Sequence, residues 1–377
     1  MSKLIGQGAY GCVYHPAITC SGKTSKSANY ITKLVVNDKN AVKENDFGKL
    51  ISKIKNFKKF FSPVVKFCPA NLKAIKRGME SNDSNDSNDS NISRSPRESC
   101  EVIEKHPDSS FLLTYVWYIN GSVLGDHFNI LPYDAEFILN LIKTYAYLVN
   151  SLQILYNNGI LHYDLKSDNI MYDKEKNIPI IIDFGLSIET RNIIMGDNSD
   201  LYNSIEQFKR SFFVYAPDYD VWCPEINIIC FILYRNDDND AKFLTVDRVK
   251  SVLDDTISQN GVLRMCSEEF RVSYYNAFLD FMNPLIGMDN MSVIQELIKY
   301  MDSWDVYSLS ITFIKMFTRT ETRYYSDSGA RADSVDFFKS ESLLMQTFFL
   351  SISPYPNKRP TFEGLKKIIF NDFNVKI

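Results

Sequence analysis

The sequence predicts an α+β protein of two lobes, a small β-rich one over residues 1–118 and a large, mainly α-helical one over residues 119–377. Three observations predict it. The 377 residues exceed what one small core organises, at roughly 100–200 residues per domain. The chain opens with β-like stretches around a Gly-rich turn, and a long capped helical pattern begins only at Asp134. Most of the remaining chain, to Ile377, keeps the three-and-four spacing of apolar residues that suits helices.

In the small lobe, a second strand pattern at Tyr30–Val36 precedes a helical pattern from about Ala41 to Ile54. Residues 80–99 repeat a Ser-Asn-Asp triplet and hold almost nothing that could pack. They are expected to form a disordered insertion that chemistry can do without. Phe111–Ile119 (FLLTYVWYI) has the β-branched and aromatic content of a strand, ended by Asn120-Gly121, and a connection between lobes fits after it. Asp134 caps a helix whose apolar residues Phe137, Ile138, Leu141, Ile142, Tyr145, Leu148, Val149, Leu152 and Leu155 fall on one stripe. Gly159, able to take positive φ, stops it. Ile178–Ile182 is a short buried strand running into Asp183-Phe184-Gly185.

Composition excludes several classes. Apolar residues make up 45% of the chain and aromatics 14%, enough to build cores, so disorder is expected to be local. A net charge of −4 gives no footprint for nucleic acid and no polybasic membrane signal, and Lys53, Lys55, Lys58 and Lys59 read as a solvated helix face. The seven cysteines are odd in number and never spaced Cys-x-x-Cys, so neither a disulfide framework nor a zinc site is expected, and a reducing compartment is. The opening MSKLIGQG has no signal-like apolar stretch, and no apolar run reaches about 18 residues. A soluble, cytoplasmic protein is the expectation.

Gly6-Gln7-Gly8-Ala9-Tyr10-Gly11-Cys12-Val13 is a Gly-x-Gly-x-x-Gly-x-Val loop between two strand-like segments. Such glycines let backbone N–H groups approach a phosphate, though dinucleotide folds and plain hairpins use similar spacing. No helix pattern begins at the last glycine, so a hairpin folded over a nucleotide fits better than a dinucleotide turn. Lys33 lies on the alternating strand 30–36, where it can point inward. Glu44 on the following helix can hold it against phosphates, with Asp46 as the other carboxylate in reach.

The strongest signal is His162-Tyr163-Asp164-Leu165-Lys166-Ser167-Asp168-Asn169, followed by Asp183-Phe184-Gly185. Phosphoryl transfer needs positioned charge more than covalent help, and two oxygen donors, a lysine and a proton acceptor supply it. These motifs resemble the catalytic loop and metal-binding turn of the protein kinase superfamily. Three weaker matches extend the likeness: Trp222-Cys223-Pro224-Glu225 with Arg359 as the expected partner of Glu225, Lys358-Arg359-Pro360 itself, and Asp305, which resembles the aspartate that hydrogen-bonds the catalytic-loop backbone.

The resemblance implies a bilobal protein-kinase-like fold using ATP and Mg²⁺ on a protein substrate with a serine or threonine acceptor, Lys166 favouring that specificity. It assigns Asp164, Lys166, Lys33 and Glu44 to catalysis. Gly6, Gln7, Gly8, Ala9, Tyr10, Gly11, Val13, Ile31, Lys33, Asn169 and Asp183 would bind nucleotide, with Asn169 and Asp183 on the metal. No nucleic-acid or membrane partner is implied.

Departures matter too. Tyr163 replaces the usual arginine that grips a phosphate on the activation segment. Candidate acceptors there are Ser187, Thr190, Ser199, Ser204 and Ser211. Ile31 is bulkier than the common alanine, and Gly48 falls where a larger residue usually packs. About 80 residues separate Glu225 from Asp305, so residues 226–300 are expected to form an inserted helical subdomain. These insertions and the Asn/Ile/Lys/Tyr/Asp-rich composition are similar to the divergent kinases of large cytoplasmic DNA viruses. Two other functions compete: a pseudokinase scaffold, favoured by Tyr163, Ile31 and Gly48, and a small-molecule kinase of related fold, which usually lacks the Gly-rich loop.

Overall fold

The computed structural model describes residues 2–8, 11–75, 100–194, 201–235, 242–328 and 335–375, with the side chains of 201–204 and 323–338 left aside. The expected Ser-Asn-Asp insertion lies outside the described residues. The chain divides into two compact units. One comprises residues 1–121, 173–175 and 180–186, the other 122–172, 176–179 and 187–377.

The first unit is built on an antiparallel sheet of β1 (Lys3–Gly8), β2 (Gly11–His15), β3 (Tyr30–Val36), β5 (Lys66–Pro69) and β6 (Phe111–Trp117), in the order β1-β2-β3-β6-β5. Side chains alternate across such a sheet, so β3 serves two environments. Leu34 packs on one face with Cys12, Tyr14, Leu113 and Tyr115, under a cover that includes Ala17, Ile18, Ile75 and Val102. Val35 packs on the other with Leu112 and Ala41 of helix α1 (Lys39–Ile51). Lys33 shares this second face by parity. Asp38 caps α1 by accepting from the Ala41 N–H at 2.9 Å. β4 (Phe61–Ser62) runs parallel to Ile181 and Ile182 of β10 (Ile178–Ile182).

The lack of a larger side chain at Gly48 of α1 has a packing reason. A Cβ there would overlap the Val64 carbonyl, so glycine is what lets the helix lie against the 61–65 segment.

The cysteines correct an expectation. Cys12–Cys100 and Cys20–Cys68 form disulfides, with Cα atoms 5.9 and 6.0 Å apart. Both tie the outer cover to the sheet or its margin, and short α2 (Glu101–Lys105) follows Cys100 directly. The partners stand 88 and 48 residues apart, so sequence spacing held no sign of them. The inference of a reducing compartment loses its premise. Cys223, Cys230 and Cys266 stay free.

The second unit is mostly helical. After β7 (Gly121–Val123) and α3 (Leu124–Asn129) comes α4 (Ala135–Asn157), capped by Asp134 and followed by Gly159 at φ 76°. Its predicted stripe is buried. Tyr145 meets Phe313 edge-on at 5.1 Å and bonds Ser310 at 2.8 Å, both on α10 (Trp304–Ser328). β8 (Ile160–Leu161) pairs antiparallel with β11 (Ile188–Glu189), and β9 (Ile170–Asp173) lies between them in sequence. α5 (Leu201–Ser211) and α6 (Pro224–Tyr234) come next. Residues 226–300 hold the end of α6, then α7 (Val246–Gln259), α8 (Glu268–Met282) and α9 (Asn290–Leu297). Val249, Val252, Leu253, Tyr274 and Phe278 are buried there as plain core. α11 (Val335–Ser351) and α12 (Phe362–Phe373) complete the unit. No helix among the described residues is long and apolar enough to cross a membrane.

Candidate active site

The second unit carries the loop between β8 and β9. Its entry is fixed by Asp305 at the start of α10, whose carboxylate accepts from the backbone N–H groups of His162 at 2.7 Å and Tyr163 at 2.8 Å. Burial pushes the Asp305 carboxyl up, while His162 and the two N–H bonds oppose the rise. Tyr163 sits at φ 67°, a left-handed conformation that costs a tyrosine roughly 1–2 kcal/mol. Three contacts hold it there. Asp305 takes its N–H, the Trp222 indole N–H donates to its carbonyl at 2.8 Å, and its ring lies 4.7 Å from that of Trp222.

That turn presents Asp164, 8% exposed. Asn169 Nδ2 donates to both the Asp164 carbonyl and Oδ2 at 2.8 Å, and Lys166 Nζ stands 3.2 Å from Oδ1. Both amide protons of Asn169 are therefore committed to Asp164, leaving its Oδ1 as an oxygen donor.

The first unit carries Lys33, Glu44 and Asp183. Lys33 Nζ lies 3.2 Å from Glu44 Oε1 and 3.5 Å from Asp183 Oδ2. Burial alone would lower the Lys33 pKa, but the two carboxylates outweigh it and raise it above the ordinary lysine value. Burial pushes the Glu44 carboxyl up against the opposing pull of Lys33. Asp46, the other candidate partner, pairs with Lys49 at 2.8 Å on the surface. Asp183 takes φ 63°, directly after β10.

Of the Gly-rich loop, Gly6, Gln7 and Gly8 lie on β1, and Gly11 and Val13 on β2. Gly6 stands opposite Val13 and Gly8 opposite Gly11, while Ala9 and Tyr10 lie outside the described residues. The glycines differ. A Cβ on Gly11 would come 2.6 Å from the Leu34 carbonyl, so its glycine serves sheet packing. Gly6 and Gly8 have room for a side chain, and bare backbone there has no packing cause. Ile31 is half-buried on β3, opposite Val116.

Glu225 and Arg359 form the expected pair. Sequence reasoning missed Trp222 as the clamp on Tyr163, since a lone aromatic in a loop carries no periodic signal. It also missed Lys43, beside Glu44, whose Nζ donates to the Leu186 carbonyl at 3.4 Å just past Asp183-Phe184-Gly185. Ser187 is no accessible acceptor, being fully buried with its hydroxyl donated to the His162 carbonyl. Ser199 and the side chain of Ser204 lie outside the described residues.

Residues 99–273 match the protein kinase domain model. Over that stretch, which is under half of the chain, the sequence is similar to the protein kinase superfamily. A probable serine/threonine-protein kinase, fnkB, of Dictyostelium discoideum is 38% identical over 77 residues, 20% of this chain and 14% of that protein. Calcium-dependent protein kinase 21 of Oryza sativa subsp. japonica is 32% identical over 108 residues, 27% of this chain and 17% of that protein. Calcium-dependent protein kinase 13 of Arabidopsis thaliana is 36% identical over 93 residues, 23% and 16% respectively. The match thus spans under a fifth of these kinases' own length.

Proposed function

We propose that the chain is an ATP-dependent protein kinase that transfers the γ-phosphate of ATP to serine or threonine hydroxyls of a protein substrate. The observation that carries this reading is the triad on the β8–β9 loop: Asp164 oriented by Asn169, neutralised by Lys166, and set on a turn that Asp305 holds. Asp164 is placed to orient the acceptor hydroxyl and take its proton as the oxygen attacks phosphorus. Lys166 supplies positive charge beside it, where negative charge grows on the transferred group. Lys33, kept charged by Glu44 and Asp183, is suited to binding the phosphates of ATP. Asn169 Oδ1 and the Asp183 carboxylate are each an oxygen ligand of the kind a hard cation takes. When bound, Mg²⁺ would offset phosphate charge at those two residues. Tyr163 leaves no guanidinium beside Asp164, which supports a kinase that works without a phosphorylated activation segment.

The test is incubation with labelled ATP, Mg²⁺ and a generic protein substrate, followed by phosphoamino acid analysis. Label on serine and threonine, lost in Asp164→Asn while nucleotide binding persists, is expected. Label on tyrosine would revise the specificity. No transfer by a folded wild type that still binds a partner would favour the scaffold reading.

A further inference from the structure

Lys166 meets more than Asp164. Its Nζ lies over the ring of Tyr219, 5.3 Å from the centroid, within the range where a ring's quadrupole attracts an ammonium. The Tyr219 ring in turn packs edge-on against Trp222 at 4.9 Å, and Trp222 donates its indole N–H to the Tyr163 carbonyl. The contacts close a circuit from Asp164 through Lys166, Tyr219 and Trp222 back to the residue before Asp164. The Tyr219 hydroxyl is buried without a hydrogen-bond partner among the described residues, so the ring, not the hydroxyl, makes the contacts that place this side chain.

The segment bearing Tyr219 is held by the inserted helices. Tyr215 donates its hydroxyl to Asp255 of α7 at 2.8 Å. Asn260, which ends α7, donates to the Asp220 carbonyl at 3.1 Å. The Asp220 carboxylate pairs with Lys315 of α10 at 2.6 Å and fills the space that a side chain on Gly261 would need. Thus both flanks of Tyr219 are anchored to protein.

We propose that Tyr219 is a positioning residue whose aromatic face holds Lys166 against Asp164, and that the 226–300 insertion keeps Tyr219 in place. The proposal rests on the kinase reading for its effect on rate, but not for its effect on Lys166 itself. An ammonium covered by a ring swings less and is shielded from reagents. Removing the ring frees it, whereas removing the hydroxyl does not.

The experiment compares Tyr219→Leu, Tyr219→Met and Tyr219→Phe in the full chain. It measures kcat and the KM for ATP, and by mass spectrometry the rate at which an amine-acetylating reagent modifies Lys166. In Tyr219→Leu, kcat is expected to fall about tenfold or more with the KM for ATP within about twofold, and Lys166 acetylation to quicken. Tyr219→Phe restores kcat to within about threefold and keeps Lys166 protected. Tyr219→Met, which retains bulk without a π face, behaves as Leu and decides the matter if the Leu variant does not fold. Unchanged kcat and unchanged Lys166 acetylation in the folded Leu or Met variant would overturn the proposal. So would a Phe variant as impaired as Leu, which would shift the role to the hydroxyl. If the wild type transfers no phosphate, the kinase reading fails, and Lys166 protection in wild type and Phe but not in Leu still decides the clamp.

Discussion

Arg359 grips Glu225 with both arms of its guanidinium, Nη1 to Oε1 at 2.7 Å and Nη2 to Oε2 at 3.0 Å, across 134 residues of sequence. The side chains are 1% and 0% exposed, so neither charge has water to fall back on. Taking one partner away strands the other in a dry interior, which costs about 3–5 kcal/mol. Arg359→Met or Glu225→Leu alone is therefore expected to lower the denaturant midpoint sharply, and the double variant to recover much of the loss. Equal losses in single and double variants would refute the pairing as the cause.

Asp305 spends both carboxylate oxygens on the backbone N–H groups of His162 and Tyr163 in the β8–β9 loop. An amide offers only one good acceptor, so Asp305→Asn leaves one N–H against a donor. We expect kcat to fall about tenfold or more, about 1.4 kcal/mol of transition-state stabilisation, with the KM for ATP little changed. A rise in KM at constant kcat would place the role of Asp305 in binding.

The two disulfides close loops of 88 and 48 residues. In the chain-entropy account, loops of this size contribute about 4 kcal/mol each. Cys20→Ser with Cys68→Ser, or mild reduction, should speed amide hydrogen exchange in β3 and β6 while leaving α4 and α10 unaffected. Uniform protection before and after reduction would count against them as staples of the first unit.

Lys43 is pushed down to about 8 by burial. Its folded value lies below the ordinary 10.5, so between about 8 and 10.5 the unfolded chain binds more protons, and its contribution to stability rises with pH across that window. Lys33, raised above the ordinary value, acts oppositely, its contribution present in full below 10.5 and lost above. Acetylation of Lys43 should reach half its maximal rate near pH 8, and Lys43→Met should flatten stability between pH 8 and 10. A half-point near the ordinary lysine value would mean the ammonium is solvated.

Tyr163 is 2% exposed, its ring on Trp222 and Phe212 and its hydroxyl 3.5 Å from Cys230 Sγ. An aromatic cluster thus occupies the place where an arginine would wait for phosphate. Phosphatase treatment is expected to leave turnover within about threefold, checked by mass spectrometry of the activation segment. A tenfold drop reversed by rephosphorylation would show that Arg191, Lys209 or Arg210 has taken over.

The amino-acid sequence by itself determined the local elements and which side chains meet on the β8–β9 loop. Asp134 and Gly159 bracket α4 because a cap and a positive φ are properties of a few consecutive residues. Asp164, Lys166 and Asn169 were legible because they lie within six positions of one another, and β3 because its alternation is local. Only the tertiary structure decided what depends on residues far apart in the chain. It chose Glu44 over Asp46 for Lys33, since both lie on one helix and helix rotation against the sheet selects between them. It made Gly48 a requirement of close approach, joined Cys12 to Cys100 and Cys20 to Cys68, buried Ser187, and laid Tyr219 over Lys166. Each depends on packing in three dimensions, where short-range forces act on neighbours that spacing along the chain does not record.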